Sequence, residues 1–103
     1  MLSKDNMRTL EVNDLGNICV SGDLSFATVP KLNQHGHVLI KQNICLVFDL
    51  TKVTFSDNAG VALLIAWARY AKSINKKILF INLPKQLLDL VVASGLRDIL
   101  PLK

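Results

Sequence analysis

The order of apolar segments after residue 42 constrains the fold most. "NICLVFDL" (43–50) is a nearly continuous apolar run rich in β-branched and aromatic residues. "NAGVALLIAWARYAKSI" (58–74) follows with helical periodicity, then "KKILFINL" (76–83), then "PKQLLDLVVASG" (84–95). The first and third segments have the length and composition of strands covered on both faces. The second and fourth are helices, the fourth with Pro84 in its first turn and Gly95 as its C-terminal cap. Strands that alternate with helices must run parallel, with the helices as crossovers.

Upstream, "MRTLEVN" and "GNICVSGDL" alternate with period two and are joined at "NDLGN", which predicts a β-hairpin. "SFATVPKLNQHGHVLIKQ" predicts a helix that starts at Thr28 or Val29, ahead of Pro30. Gly36 counts against that helix. The tail "LRDILPLK" keeps Leu96 and Ile99 for packing. The expected order is β-β-α-β-α-β-α with an apolar tail. At 103 residues, half of them hydrophobic and 19% charged, residues 1–103 read as a single folded domain.

Composition narrows the function classes. No apolar run reaches the roughly 20 residues that span a bilayer. The start "MLSKDNMRTLEV" is too polar for a signal peptide, so a cytoplasmic location is expected. The net charge of +4 is carried by scattered lysines. There is no basic stripe with aromatic platforms, so no nucleic-acid partner is expected. Cys19 and Cys45 lie in apolar runs and read as reduced core residues. His35 and His37 are two apart on a predicted helix and point in different directions, so no metal site is expected. Phe26, Phe48, Phe55 and Phe80 read as core, Asp23 as a cap before the first helix, and "KSINKK" as a solvated helix end that could also touch an anionic membrane surface. No cofactor is implied.

The stretch "DLTKVTFSDNAGVALLIAW" (49–67) holds the candidate site. Asp57 is a strong N-cap, with Ser56 as the alternative. Gly60 gives up helix propensity, which predicts close approach of a neighbouring strand or a partner. A helix start after a parallel strand faces the edge where open α/β sheets carry their sites. A phosphate loop would need more glycine and a lysine. A catalytic Asp57 would need an acid–base partner or a metal, and neither is nearby, so no enzyme is expected and a small enzyme or ligand-binding protein is the weakest reading. On the helix, Val61, Leu64, Ile65 and Ala68 form one apolar stripe, and Leu63, Trp67, Tyr70 and Ile74 a second. One is expected to be core and the other a protein contact surface.

These residues resemble a family. "DLTKVTFSDNAGVALLI" is similar to the signature of STAS domains, the fold of bacterial anti-sigma factor antagonists, with Asp49, Leu50, Val53, Phe55, Asp57, Gly60, Val61, Leu64 and Ile65 matching. "VSGDLSFATVPKL", with Gly22 and Leu24, and "KKILFINLPKQLLDLVVASGLRDIL" resemble its flanking segments. The resemblance implies an α/β, STAS-like fold: a four- to five-stranded mixed sheet with helices packed on one face, and a binding module without chemistry of its own. In the antagonists the residue after the turn aspartate is a phosphorylated serine. Here it is Asn58, whose carboxamide cannot take a phosphate. The chain is also similar to the stand-alone STAS subunits of Mla-type phospholipid ABC transporters. That likeness implies a partner in the ABC transporter ATPase, a place at the inner membrane only through that partner, and a role in outer-membrane lipid asymmetry. The expected partner-binding residues are Ser56, Asp57, Asn58, Ala59, Ala62, Leu63, Ala66 and Trp67. The alternative is an anti-sigma factor antagonist-like module that binds a serine kinase.

Overall fold

A computed structural model describes residues 10–103. Its elements are β1 (Leu10–Val12), β2 (Ile18–Leu24), α1 (Val29–Gln42), β3 (Val47–Ser56), α2 (Asn58–Ser73), β4 (Leu79–Ile81) and α3 (Lys85–Ala93). The expected order holds. The part of the first strand expected over Met7–Thr9 lies outside the described residues.

The four strands form one mixed sheet in the order β1-β2-β3-β4. The hairpin makes β1 and β2 antiparallel, with Leu10 opposite Val20. The two crossovers make β2–β3 and β3–β4 parallel, with Phe48 between Ile18 and Phe80. The side chain of Asn13 closes the hairpin by accepting the amides of Leu15 and Asn17 at 2.9 and 3.0 Å. At the far edge, β4 bonds to the tail: the Phe80 amide donates to Pro101 and the Lys103 amide to Phe80.

The helices cover one sheet face. Ile18, Val20, Phe48, Leu50 and Phe80 point into that layer and are fully buried, with Trp67 and Leu64 of α2 and Leu87 and Val91 of α3. The opposite face carries Cys19, Asp49, Leu79 and Ile81, all only half-buried. The expectation that the strands of 43–50 and 76–83 are covered on both faces is therefore corrected. Ile44 is 94% exposed ahead of β3, and Cys45 is exposed as well, so neither is core. The apolar run extended past the strand itself, which blurred its alternation.

Between Ile18↔Phe48 and Leu24↔Ser56 the paired segment of β3 is two residues longer than that of β2, and two register shifts absorb the difference. An inserted residue reverses the in–out phase of a strand. Burial thus moves from Phe48 and Leu50 to Val53 and Ser56. The second shift follows Gly22, whose φ of +87° suits glycine.

Gly36 sits inside α1 because Trp67 requires it. A Cβ there would run into the indole Nε1 and Cε2. The close approach lets α2 bury its largest side chain against α1, and Trp67 then stacks on Phe48 with ring centroids 4.8 Å apart. Farther along the same seam His37 packs on Tyr70 at 4.2 Å. Lys76 holds the other end of α1. Its ammonium donates to the carbonyls of Ile40, Lys41 and Asn43 at 2.8 to 3.0 Å, satisfying acceptors that a helix C-terminus leaves free. "KSINKK" is in this respect an inter-helix clasp as well as a solvated end.

Candidate partner-binding site

The site is built where β2 and β3 end and α2 begins. The Asp57 amide donates to Leu24 O at 3.0 Å, which ties the junction to the end of β2. The Asp57 carboxylate accepts the Ala59 amide at 2.8 Å as the N-cap of α2, and the Phe26 amide at 3.4 Å from the β2–α1 loop. One carboxylate thus joins two segments that are 31 residues apart in sequence. Gly60 completes the joint. A Cβ there would collide with Ser56 Oγ and come within 2.9 Å of Leu24 Cβ, so the predicted close approach is to the end of β2.

Gln86 braces the junction from α3. Its Nε2 donates to Ser56 O at 2.7 Å and its Oε1 accepts the Ser56 amide at 2.9 Å. The side-chain amide pairs with the end of β3 as an adjacent strand would. Asp23 does not cap α1. Its carboxylate accepts the Thr54 hydroxyl at 2.7 Å, across the ends of β2 and β3. Deeper in the sheet, Asp49 accepts the amide and hydroxyl of Thr51 and the side-chain amide of Asn82. These bonds, the Thr51 hydroxyl foremost, hold its carboxyl below the usual aspartate value.

The expected partner-binding residues divide by burial. Asn58 and Ala62 are exposed, and Asp57, Ala59 and Ala66 are half-buried. Ser56, Leu63 and Trp67 are at most 1% exposed. These three belong to the core and cannot touch a partner, which corrects the sequence-based expectation. The reason is that α2 packs against the sheet and between α1 and α3, so Leu63 and Trp67 of one stripe and Val61 and Leu64 of the other are all buried, and Ile65 and Ala68 lie at the margin, half-buried. The outward face of α2 is a narrow strip of Asn58, Ala62, Ile65, Arg69 and Lys72. Phe26 is 81% exposed and Phe55 49% exposed, against the expectation of core. Phe26 follows Ser25 in a polar turn, and that loop position was the sequence signal for exposure. His35 is exposed and His37 is held by Tyr70. Among the described residues no three His, Cys, Asp or Glu side chains cluster to hold a metal.

A family model described as "Mlab, STAS domain" matches residues 9–101. The chain belongs to the STAS domain family. Among curated STAS relatives, the anti-sigma-B factor antagonists of Listeria monocytogenes and Listeria innocua are 28% identical over 87 residues, covering 84% of this chain and 76% of theirs. Among solved STAS structures, a chain of the Acinetobacter MlaFEDB complex in its ATP-bound Vtrans2 conformation aligns with a TM-score of 0.77 and 26% identity, over 91% of this chain and 98% of that one. The anti-sigma factor antagonist SpoIIAA in its unphosphorylated form shares the fold with a TM-score of 0.72 at 16% identity, covering 91% and 85%. No described helix is long and apolar enough to cross a membrane.

Proposed function

We propose that this STAS domain is a non-enzymatic subunit that binds, and stabilises or regulates, the ATPase of a phospholipid-transporting ABC system, and so serves outer-membrane lipid asymmetry. The observation that carries this reading is the likeness to a chain of the MlaFEDB complex, at 26% identity over nearly all of that chain. The site supports it. Asn58 is exposed at the first residue of α2 and offers both a donor and an acceptor without a nucleophile. Ala59, Ala62 and Ala66 beside it present small side chains that let a partner's backbone come close. Phe26 projects from the loop pinned to the same aspartate, with the aromatic bulk typical of interface anchors. Asp57 is committed to two amides and Ser56 is enclosed, which supports a binding role for this junction. By this reading the protein is cytoplasmic and meets the inner membrane through its partner.

The second reading, an anti-sigma factor antagonist-like module, is favoured by the 28% identity to the Listeria antagonists. Against it stands Asn58, with no hydroxyl to phosphorylate.

The test is co-purification. The tagged chain is expressed in its native host, membranes are solubilised in mild detergent, and stoichiometric companions are identified. An ABC ATPase with its permease is the expected result. A soluble histidine-kinase-like anti-sigma factor would overturn the transporter reading in favour of the second.

A further inference from the structure

The outward strip of α2 continues past Ala62 to a part of the surface that no reading of the Asn58 junction uses. Two adjoining depressions of about 380 and 390 Å³ lie there between α2 and the C-terminal tail. Ile65, Ala68, Leu96 and Leu100 floor the first, and Ala68, Ile78 and Pro101 the second. Ile99 stands between them, belongs to both and is 73% exposed. The rims are cationic: Arg69 and Lys72 on the first, Lys72 and Lys77 on the second. Among the described residues no acidic side chain lines either depression. Arg69, Lys72 and Lys77 have no ion-pair partner among the described residues, where Asp89 pairs with Lys85 and Asp49 bonds to Thr51.

We propose that this groove is a second docking site, for an acidic amphipathic segment of a protein partner. Concavity decides between a peptide and a membrane surface. Two adjoining depressions suit a peptide, because apolar side chains one or two helical turns apart fill separate ones. Charge decides the character of the segment. Three cations without an ion-pair partner among the described residues, set around an apolar floor, favour carboxylates beside the inserted side chains. The groove lies toward the C-terminal end of α2 and the Asn58 junction at its N-terminus, so the two sites can be occupied together and tested apart.

The probe is a peptide selected from a random display library against the purified full chain, then synthesised with a fluorophore and measured by anisotropy. The enriched sequences are expected to carry Asp or Glu around apolar residues at i, i+3 or i+4, and i+7. Ile99→Asp and the pair Arg69→Glu with Lys72→Glu are each expected to weaken binding about tenfold or more. Lys31→Glu, the same charge change on exposed α1 surface, is expected to leave affinity unchanged. All of these positions are exposed, and circular dichroism checks that the variants fold. Enriched peptides without acidic residues, or groove variants that bind as wild type does, would overturn the proposal. So would binding of phosphatidylglycerol vesicles that Ile99→Asp abolishes while peptide binding persists, or a dimer in sedimentation that the same substitution dissolves. None of these outcomes depends on whether an ABC ATPase co-purifies.

Discussion

Gly36→Ala tests how the helical layer is assembled. On an exposed helix this substitution stabilises by up to about 1 kcal/mol, because alanine has the higher helix propensity. Here the added methyl meets the Trp67 indole, with Cζ2 only 2.5 Å from the ideal Cβ position. The ring has nowhere to retreat: it is fully buried and stacked on Phe48, which itself packs on Phe80 at 5.8 Å. Relief requires α1 to move outward, which loosens the seam around Leu32 and Ile40. Overpacking of this kind costs about 1–3 kcal/mol. Set against the propensity gain, the net expectation is a loss of roughly 1–2 kcal/mol. In urea that lowers the midpoint by about 1 M, and in thermal melts of a domain this size by about 5–10 °C. Far-UV circular dichroism follows the transition. The clash is then isolated with Trp67→Leu, which removes the ring that Cβ would meet. In that background Gly36→Ala is expected to be neutral or stabilising, a coupling of at least about 1 kcal/mol. Equal destabilisation in both backgrounds, or stabilisation in the wild type, would refute the packing argument.

Three further outcomes follow from named bonds. Gln86→Ala removes both side-chain bonds to the Ser56 backbone and is expected to cost about 1–2 kcal/mol in urea unfolding, with faster amide exchange at Ser56. Asp49 has a lowered folded-state pKa, so its contribution is present above the unfolded value near 3.8 and is lost as pH falls through the folded one. Asp49→Asn is therefore expected to flatten the stability–pH curve below that value, and an unchanged slope would contradict the Thr51 and Asn82 bonds. Lys76→Met should raise amide exchange in the last turn of α1 while leaving α3 unaffected, because its three acceptors all lie at that helix end.

Much of this was legible in the sequence because it rests on local chemistry. Alternation and turn residues gave the hairpin, Pro30 the start of α1, Asp57 the cap of α2, and the motif segments the STAS fold. What was not legible depends on contacts between distant residues. The stripe containing Leu63 and Trp67 looked surplus because a helical wheel does not show that α1 comes close enough, through Gly36, to cover it. The phase of β3 was hidden by its register shifts, which only pairing with β2 defines. Gln86 and Lys76 carry no local signal at all: each bonds to backbone more than 29 residues away. Phe26 is exposed because it lies in a turn, where aromatic character alone does not bring burial.

The central claim is that the Asn58 end of α2 is the face that holds an ABC ATPase. The most direct measurement is the affinity of the purified ATPase–permease complex for the wild-type protein and for Asn58→Arg, alongside the melting temperature of each. Asn58 is exposed at the helix start, so the variant is expected to fold as the wild type does. The account predicts an unchanged melting temperature with affinity reduced at least tenfold. A folded variant that binds with wild-type affinity would remove this face from the interface and contradict the claim.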